Sequence, residues 1–373
     1  MSMGNSYVVV MRAPAAVFFP EGEQLLINGF PTAAGKVNIR FASRWLAVSD
    51  TDRMPGHMWI HVEGVAADLE LALSVFANAG ISFLPLLSVA FNAAIHEGEV
   101  ELGFDSSPGC KAREYFQTYL TPESKLPYAF RRAKADLAAD VCMAVAAHAD
   151  VGRLLRAANQ YRLALESWKQ GRETLATAHL WMAIEALTKV QVRTLMLALG
   201  KNSQQDLADH LGVDLKLLDA HVRKHFLFEG DDASYAASKK ASDGFEHGFM
   251  DFGQMREHGV EVRHKLANYV RVAVLRLANV PAATSERLRE PPFDKPLGLW
   301  PLAKYIRGTL EGELENLAAE GQAYPFVRWN PTLKSWALDA DGKVQAQLTN
   351  SFTAELGTGT TFNPQSFEAW QQA

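Results

Sequence analysis

The segment Thr174-Leu-Ala-Thr-Ala-His-Leu-Trp-Met-Ala-Ile-Glu-Ala-Leu187 begins the most apolar of the long helices that the sequence predicts. The helix is expected to continue to Leu199 and to end at Gly200. Apolar side chains surround it on nearly every side, and a helix of this kind normally lies at the centre of a bundle. We therefore expect residues 126–280 to form an all-α helical domain around it.

Helical periodicity extends in both directions from this central segment. Upstream, apolar residues recur at helical spacing from Leu137 to Trp168. Downstream, an apolar stripe from Val262 to Leu277 lies on a predicted helix that Pro281 stops. Shorter helices are predicted between them, at about 205–211, 214–226 and 233–242.

The pattern of residues 1–125 predicts a separate α+β domain. Strands are predicted where β-branched and aromatic residues cluster between turn signals, at 7–11, 16–19, 37–41, 57–62 and 100–104. Two helices are predicted before the last of these strands, at about 69–78 and 84–95. Asp68 is expected to begin the first helix and Gly80 to end it.

The pattern of residues 281–373 predicts a linker, a helix at Leu302 to Glu320, and a β-hairpin whose turn is Ala340-Asp-Gly-Lys343. The expected fold class is therefore α+β. It comprises an N-terminal mixed α/β region, a central all-α bundle and a short C-terminal β-hairpin tail.

Composition limits the class of protein. The chain has 373 residues, of which 48% are hydrophobic and 21% charged, and these values exclude a disordered chain. A net charge of -5 argues against a protein that is basic over its whole surface. The two cysteines, Cys110 and Cys142, exclude a disulfide scaffold and fit a reducing compartment. The most apolar run, Ile81 to Ile95, is too short to cross a bilayer, so we predict a cytoplasmic protein without membrane association.

Several catalytic signatures are absent, including the phosphate-binding loop, the dinucleotide-binding glycine motif, the serine hydrolase elbow and paired Cys-x-x-Cys motifs. Two groups of metal-ligand residue types occur. One is Glu261-x-x-His264 on a helix, and the other is His57, His61 and Glu63 on one strand face. Both are interpreted as solvated surfaces because further ligands are missing. We predict no metal and no other cofactor.

The segment Leu207-Ala-Asp-His-Leu-Gly-Val213, followed by Leu215 to Val222, resembles a helix-turn-helix. Its second helix would offer Arg223 and Lys224, together with Lys216 and His221, to DNA. Asp214 and Asp219 on that helix would repel phosphate. A helical hairpin within a larger bundle is the alternative interpretation.

The segment from Tyr235 to Gly248 carries the main candidate for chemistry. Gly244 is expected to end a helix in the left-handed conformation, so that His247 projects from a corner. Lys239 and Lys240 precede that corner. A histidine near cations at such a position is a candidate acid/base or phosphate-contacting group. The alternative is structural, because Asp243 and Glu246 have the spacing of a capping box.

Four segments of the central region resemble an Apea-like HEPN domain, over about residues 136–280. The segments are Tyr161-Arg-Leu-Ala-Leu-Glu-Ser-Trp168, His179-Leu-Trp-Met-Ala-Ile-Glu-Ala-Leu187, Ser242-Asp-Gly-Phe-Glu-His-Gly248 and Tyr269-Val-Arg-Val-Ala-Val274. The resemblance implies a small helical bundle that forms a homodimer. Many members are metal-independent endoribonucleases of bacterial defence or toxin–antitoxin systems, and others are inactive RNA-binding or interaction modules.

The resemblance places the family's Arg-Asn…His-Gly corner on Ser242, Asp243, His247 and Gly248, and the family's acidic helix residue on Glu185. The histidine is present, whereas the arginine that would stabilise the anionic transition state is replaced by serine. Losing such a group costs several kcal/mol of transition-state stabilisation.

Lys239, Lys240 and Arg223 are the candidate substitutes, but a lysine lacks the bidentate guanidinium contact. We expect a degenerate, non-catalytic module that binds RNA or a protein partner, the latter through the N-terminal domain. The alternatives are an active metal-independent endoribonuclease that uses His247 and a helix-turn-helix DNA-binding regulator.

Overall fold

A computed structural model describes residues 5–47, 53–109, 111–118, 130–247, 250–299, 303–338 and 344–369. The fold is mixed α+β: an N-terminal antiparallel sheet, helices in the middle of the chain and small C-terminal sheets. The chain forms two compact units. The first comprises Met1–Arg44, His57–Leu120 and Arg131–Leu299, and the second comprises Trp45–Gly56, Thr121–Phe130 and Trp300–Ala373.

The secondary structure of the N-terminal region agrees with the expected mixture of strands and helices. Its elements are β1 (Asn5–Ala13), β2 (Val17–Phe18), β3 (Leu25–Thr32), β4 (Gly35–Ala47), β5 (Arg53–Ala66), α1 (Leu69–Ile81), α2 (Leu84–Phe91), β6 (Glu99–Asp105) and β7 (Tyr115–Gln117). Six of the strands form one sheet in the order β3-β4-β5-β1-β6-β7. β1 lies between β5 and β6 and is antiparallel to both.

Helices follow from residue 135 to residue 289. The elements are β8 (Arg131–Arg132), α3 (Ala135–Ala146), α4 (Val151–Glu166), α5 (Glu173–Ala198), α6 (Gln204–Leu211), α7 (Leu218–Val222), α8 (Asp232–His247), α9 (Phe252–Leu277) and α10 (Ala282–Arg289). α5 packs against α4, α8 and α9, as its apolar surface predicts. β8 pairs in parallel with β2.

Helix α1 covers one face of the sheet, and Gly80 has a different role there from the one expected. The side chain of Asp68 accepts a hydrogen bond from the backbone N–H of Leu71 at 2.8 Å, which confirms the predicted helix start. Gly80, however, lies inside α1 rather than ending it. A Cβ at Gly80 would lie 2.8 Å from Cγ2 of Ile60, so the glycine allows helix and sheet to approach closely.

One hydrophobic core joins the sheet and the helices of the first unit. Inward residues of β1 such as Val9 and Met11 belong to the same buried cluster as Leu165 and Ile184 of α4 and α5. Residues on both sides of position 125 therefore contribute to one buried cluster. Some apolar side chains of the N-terminal sheet and of the helices are buried only because the two regions pack against each other.

Two buried arginines fix the end of α2 within this core. Arg271 donates to the carbonyl oxygens of Val89 (2.7 Å) and Ala90 (3.0 Å), and Arg131 donates to those of Phe91 (2.5 Å) and Asn92 (2.8 Å). These are the carbonyl groups that a helix leaves without intrahelical partners. Burial lowers the pKa of Arg131 to about 9 and that of Arg271 to about 10, and the negative end of α2 favours both cations.

The C-terminal strands are β9 (Ala303–Glu311), β10 (Phe326–Leu338), β11 (Val344–Glu355) and β12 (Thr361–Ala369). β10 and β11 form the predicted hairpin, with Leu338 opposite Val344, and the expected turn at 340–343 lies outside the described residues. The helix predicted at Leu302 to Glu320 is wrong. β9 occupies 303–311 and pairs with β12, because Gly308 and Gly312 weaken a helix there and long-range pairing supplies the hydrogen bonds.

One helical stretch among the described residues, Leu69–Phe91, is long and apolar enough by composition to cross a membrane. It consists of α1 and α2, and 67% of its most apolar window is buried within the fold. Mostly buried helices of this kind are typical of the core of a soluble protein.

Candidate functional site

The corner predicted around His247 lies between α8 and α9. α8 ends at His247, and α9 begins after Asp251, whose side chain accepts from the backbone N–H of Gln254 at 3.0 Å. Gly244 does not end the helix as expected but lies inside α8, where a Cβ would be 2.6 Å from Sδ of Met250. The side chains of His247 and Glu246, and Gly248 itself, lie outside the described residues.

Residues of α8 that precede His247 form a local ion pair. Nζ of Lys239 pairs with Oδ2 of Asp243 one turn further along the helix. Ser242, at the position that the resemblance assigns to the arginine, is 3% exposed. Lys240 is exposed to solvent. The charge of Asp243 is therefore already balanced within its own helix.

Glu185 of α5 and Arg223 are brought together beside two buried residues of the same helix, Trp181 and Thr188. Their side chains lie 3.6 Å apart, and that of Glu185 is 46% exposed. Arg223 also donates from Nε to Oγ1 of Thr188 at 3.0 Å, and its guanidinium lies 5.6 Å from the ring centroid of Trp181. These three contacts hold Arg223 against α5.

Lys224 also forms an ion pair, at the protein surface. Its Nζ lies 2.8 Å from Oδ2 of Asp232, the first residue of α8. The predicted phosphate contacts Arg223 and Lys224 are thus ion-paired within the protein. Of the sequence-predicted site residues, the structure brings together Glu185 with Arg223 and Lys239 with Asp243.

The segment that resembles a helix-turn-helix is a short hairpin packed on the end of α5. Gly212 takes the left-handed conformation after α6, with φ 68°, as a tight turn requires. The second helix, however, is divided into a 3₁₀ turn, the short helix α7 and a wider π turn. A small buried cluster attaches the hairpin to α5; its members are Val192, Leu207, Ala208, Leu218 and Val222. This arrangement is the helical hairpin of the alternative interpretation.

Within the described parts of the chain, no group of three or more His, Cys, Asp or Glu side chains is arranged to hold a metal ion. Oε2 of Glu261 lies 3.6 Å from Nδ1 of His258 on its own helix. Nδ1 of His61 lies 3.2 Å from Nη2 of Arg40, whose charge, together with burial, lowers the pKa of His61.

Sequence reasoning missed a group of basic side chains around Trp168. The guanidinium of Arg263 lies 5.1 Å from the ring centroid of Trp168, and the ring of His264 contacts the same tryptophan at 5.0 Å in an edge-on arrangement. His96 and Lys169 lie close by, as their electrostatic interaction shows. No local pattern could have identified this group, because its members come from segments far apart in the sequence.

Comparison of the chain with known protein families, with curated proteins and with solved structures found no match.

Proposed function

We propose that the chain is a HEPN-like, non-catalytic module that binds RNA or a protein partner and acts as a homodimer. The observation that carries this proposal is the local ion pair of α8. The position assigned to the family's asparagine is Asp243, whose charge is balanced by Lys239, and the position assigned to its arginine is the buried Ser242.

The chemistry of RNA cleavage favours the non-catalytic form. An anionic transition state at phosphorus needs a preorganised cation, and losing one such group lowers the rate by orders of magnitude. Lys239 is engaged by Asp243, and Arg223 is held by Thr188 and Trp181. Lys240 is exposed, but an ammonium group cannot make the bidentate contact of a guanidinium.

The packing of the helices supports the HEPN-like assignment. α5 lies at the centre of α4, α8 and α9, and the corner with His247 follows α8, in the chain order that the resemblance implies. The N-terminal sheet shares its core with these helices, so it would move with them as one body. A partner bound on the sheet would therefore be held in a fixed position relative to the corner.

An RNA assay with the full chain tests the proposal. We expect wild-type protein at high concentration, with EDTA, to leave mixed single-stranded RNAs intact and to retain them in a filter-binding measurement. His247→Ala should leave both results unchanged or weaken retention only. A dimer in light scattering would agree with the proposed assembly.

Two outcomes would replace the proposal. EDTA-resistant cleavage that disappears in His247→Ala would make the protein an active metal-independent endoribonuclease. Steeply salt-sensitive binding of duplex DNA, abolished by Arg223→Ala with Lys224→Ala in a folded protein, would make it a DNA-binding regulator. Retention of neither nucleic acid would remove the RNA-binding part of the proposal.

A further inference from the structure

A group of basic side chains from four segments surrounds the end of α4; we call it the cationic ring. Its members are His96, Lys169, Arg172, Arg263, His264 and Lys295. They come from the segment after α2, the turn between α4 and α5, the middle of α9 and the segment after α10. The contacts described below bring these segments together within the first unit.

Two extended segments lie side by side at the ring and carry His96 and Lys295. The backbone N–H of Ala94 donates to the carbonyl of Leu297 at 2.7 Å, and that of Leu297 donates to the carbonyl of Asn92 at 3.0 Å. The buried Arg131 donates to the carbonyl oxygen of Lys295 at 2.8 Å. The backbone that presents Lys295 is therefore anchored to the core.

The end of α4 is attached to the same place. Nη1 of Arg162 lies 3.4 Å from the carbonyl oxygen of Ile95, the residue before His96. Trp168, which is 2% exposed, follows α4 and contacts both Arg263 and His264 of α9. The tryptophan thus fixes the two α9 residues next to Lys169.

The shifted pKa values of the two histidines agree with this placement of cations. Burial lowers the pKa of His96, and the nearby charges of Lys169, Arg162 and Arg172 lower it further. Burial also lowers the pKa of His264, with a further contribution from Arg263 and Lys295. Both histidines therefore lie in a region of positive potential.

The positive charge of the ring is only partly compensated. Two neighbouring carboxylates are ion-paired, Glu166 with Arg162 and Glu173 with Arg256, and Glu173 also partly offsets the charge of Arg263. Within the described residues, Lys169, Arg172 and Lys295 take part in no ion pair, and the remaining carboxylates nearby are those of Glu97 and Asp294. Unpaired cations from separate segments, held by buried anchors, form a concentrated field for an anion.

We propose that the cationic ring binds phosphate groups. Lysine and arginine side chains are the usual protein ligands of phosphate oxygens, and neutral imidazole N–H groups are further donors. The same chemistry is offered by the backbone of single-stranded RNA and by a small polyphosphate such as a nucleoside triphosphate. The proposal concerns a surface separate from the corner at His247 and does not depend on the HEPN-like assignment.

Calorimetry with three probes tests the site: inorganic tripolyphosphate, ATP and a single-stranded RNA oligonucleotide, each at low salt. We expect at least one probe to bind the wild-type chain, and Lys169→Gln with Lys295→Gln to weaken binding by about tenfold or more. Lys201→Gln with Lys334→Gln, which removes equal charge from the turn after α5 and from β10, is the matched control. It should retain affinity within about twofold.

The pattern across probes identifies the source of the phosphate. Binding of RNA alone, with a shallower salt dependence in the ring variant, assigns the site to the backbone of RNA. Binding of tripolyphosphate or ATP alone assigns it to a small ligand. Failure of all three probes to bind, or equal losses in the ring and control variants, would overturn the inference. RNA binding that the ring variant leaves intact would overturn this inference while the proposed function stands.

Discussion

The hydroxyl group of Tyr161 donates a hydrogen bond to Oδ1 of Asn92 at 2.6 Å, although 69 residues separate them in the chain. Both side chains are buried, and Nδ2 of Asn92 in turn donates to the carbonyl of Phe293 at 2.9 Å. This polar contact joins helix α4 to the end of α2 inside the shared core. It is one of the contacts within the buried cluster that the N-terminal region shares with the helices.

Tyr161→Phe should lower the free energy of unfolding by about 1–2 kcal/mol, because Oδ1 of Asn92 would lose its donor in a buried place. Urea denaturation followed by circular dichroism measures the change. Tyr115→Phe, at a tyrosine that is 60% exposed, is the control and should change stability by less than about 0.5 kcal/mol. Equal effects of the two variants would contradict the buried contact.

Arg271→Lys tests the fixation of α2. Lysine keeps the positive charge but cannot reproduce three directed hydrogen bonds to the carbonyls of Val89, Ala90 and Phe293. We expect a loss of about 3 kcal/mol or more, since carbonyl groups and a charge would remain buried without full pairing. Arg156→Lys, at an exposed position of α4, should be neutral. Thermal unfolding of both variants measures the two changes in stability, and equal changes would contradict the role of Arg271.

Gly80→Ala and Gly152→Ala form a matched pair of helix glycines. At Gly80 the new Cβ would press on Ile60 and Met11, so we expect destabilisation by about 1–3 kcal/mol despite the better helix propensity. Nothing lies within 4 Å of a Cβ at Gly152, and alanine there should stabilise the protein by up to about 1 kcal/mol. Denaturation midpoints that shift in the same direction would refute the close approach of α1 to the sheet.

Arg223→Ala should destabilise the protein by about 1–3 kcal/mol, because Thr188, Glu185 and Trp181 all lose a partner. Lys216→Ala, on the exposed side of the same hairpin, should leave the unfolding midpoint nearly unchanged. If Arg223→Ala also left the midpoint unchanged, the structural role of Arg223 would be excluded.

Stability should fall as the pH is lowered from 7.5 to 5.5. The pKa values of His61, His96, His179, His221 and His264 are lowered from 6.5, chiefly by burial. The unfolded chain therefore takes up protons at a higher pH than the folded chain, and protonation favours unfolding. Glu166, whose pKa is raised by burial, acts in the opposite direction but is a single group.

Urea midpoints at the two pH values measure this effect. His264→Gln should make the decrease smaller, because one of the contributing groups is removed. A midpoint that stays constant or rises on acidification would contradict the expected direction. The carboxylates with lowered pKa, Asp105 and Asp231, lose their contribution only at still lower pH.

The glycines show where reasoning from the sequence holds and where it fails. Gly200 and Gly212 follow helices in the left-handed conformation, as expected, because a helix end is a local property of the chain. Gly80 and Gly244 were expected to have the same role but lie inside helices, each beside a side chain that a Cβ would meet. A glycine required for packing looks the same in the sequence as one required for a turn.

The contacts of the candidate site show the same difference between local and long-range features. The ion pair of Lys239 and Asp243 has the spacing of neighbours on one helix and is predictable from the sequence. The contacts of Arg223 with Thr188 and Trp181, and the cationic ring, join segments far apart and had no signal in the sequence.

The amino-acid sequence by itself determined most of the helices, most of the strands, the helix cap at Asp68 and the central position of α5, since apolar periodicity and capping act within a few residues. Only the tertiary structure decided that the sheet and the helices share one core, that β9 is a strand, and which cations are paired and which are exposed. These features depend on contacts between residues distant in the chain, whose free energies exceed local preferences.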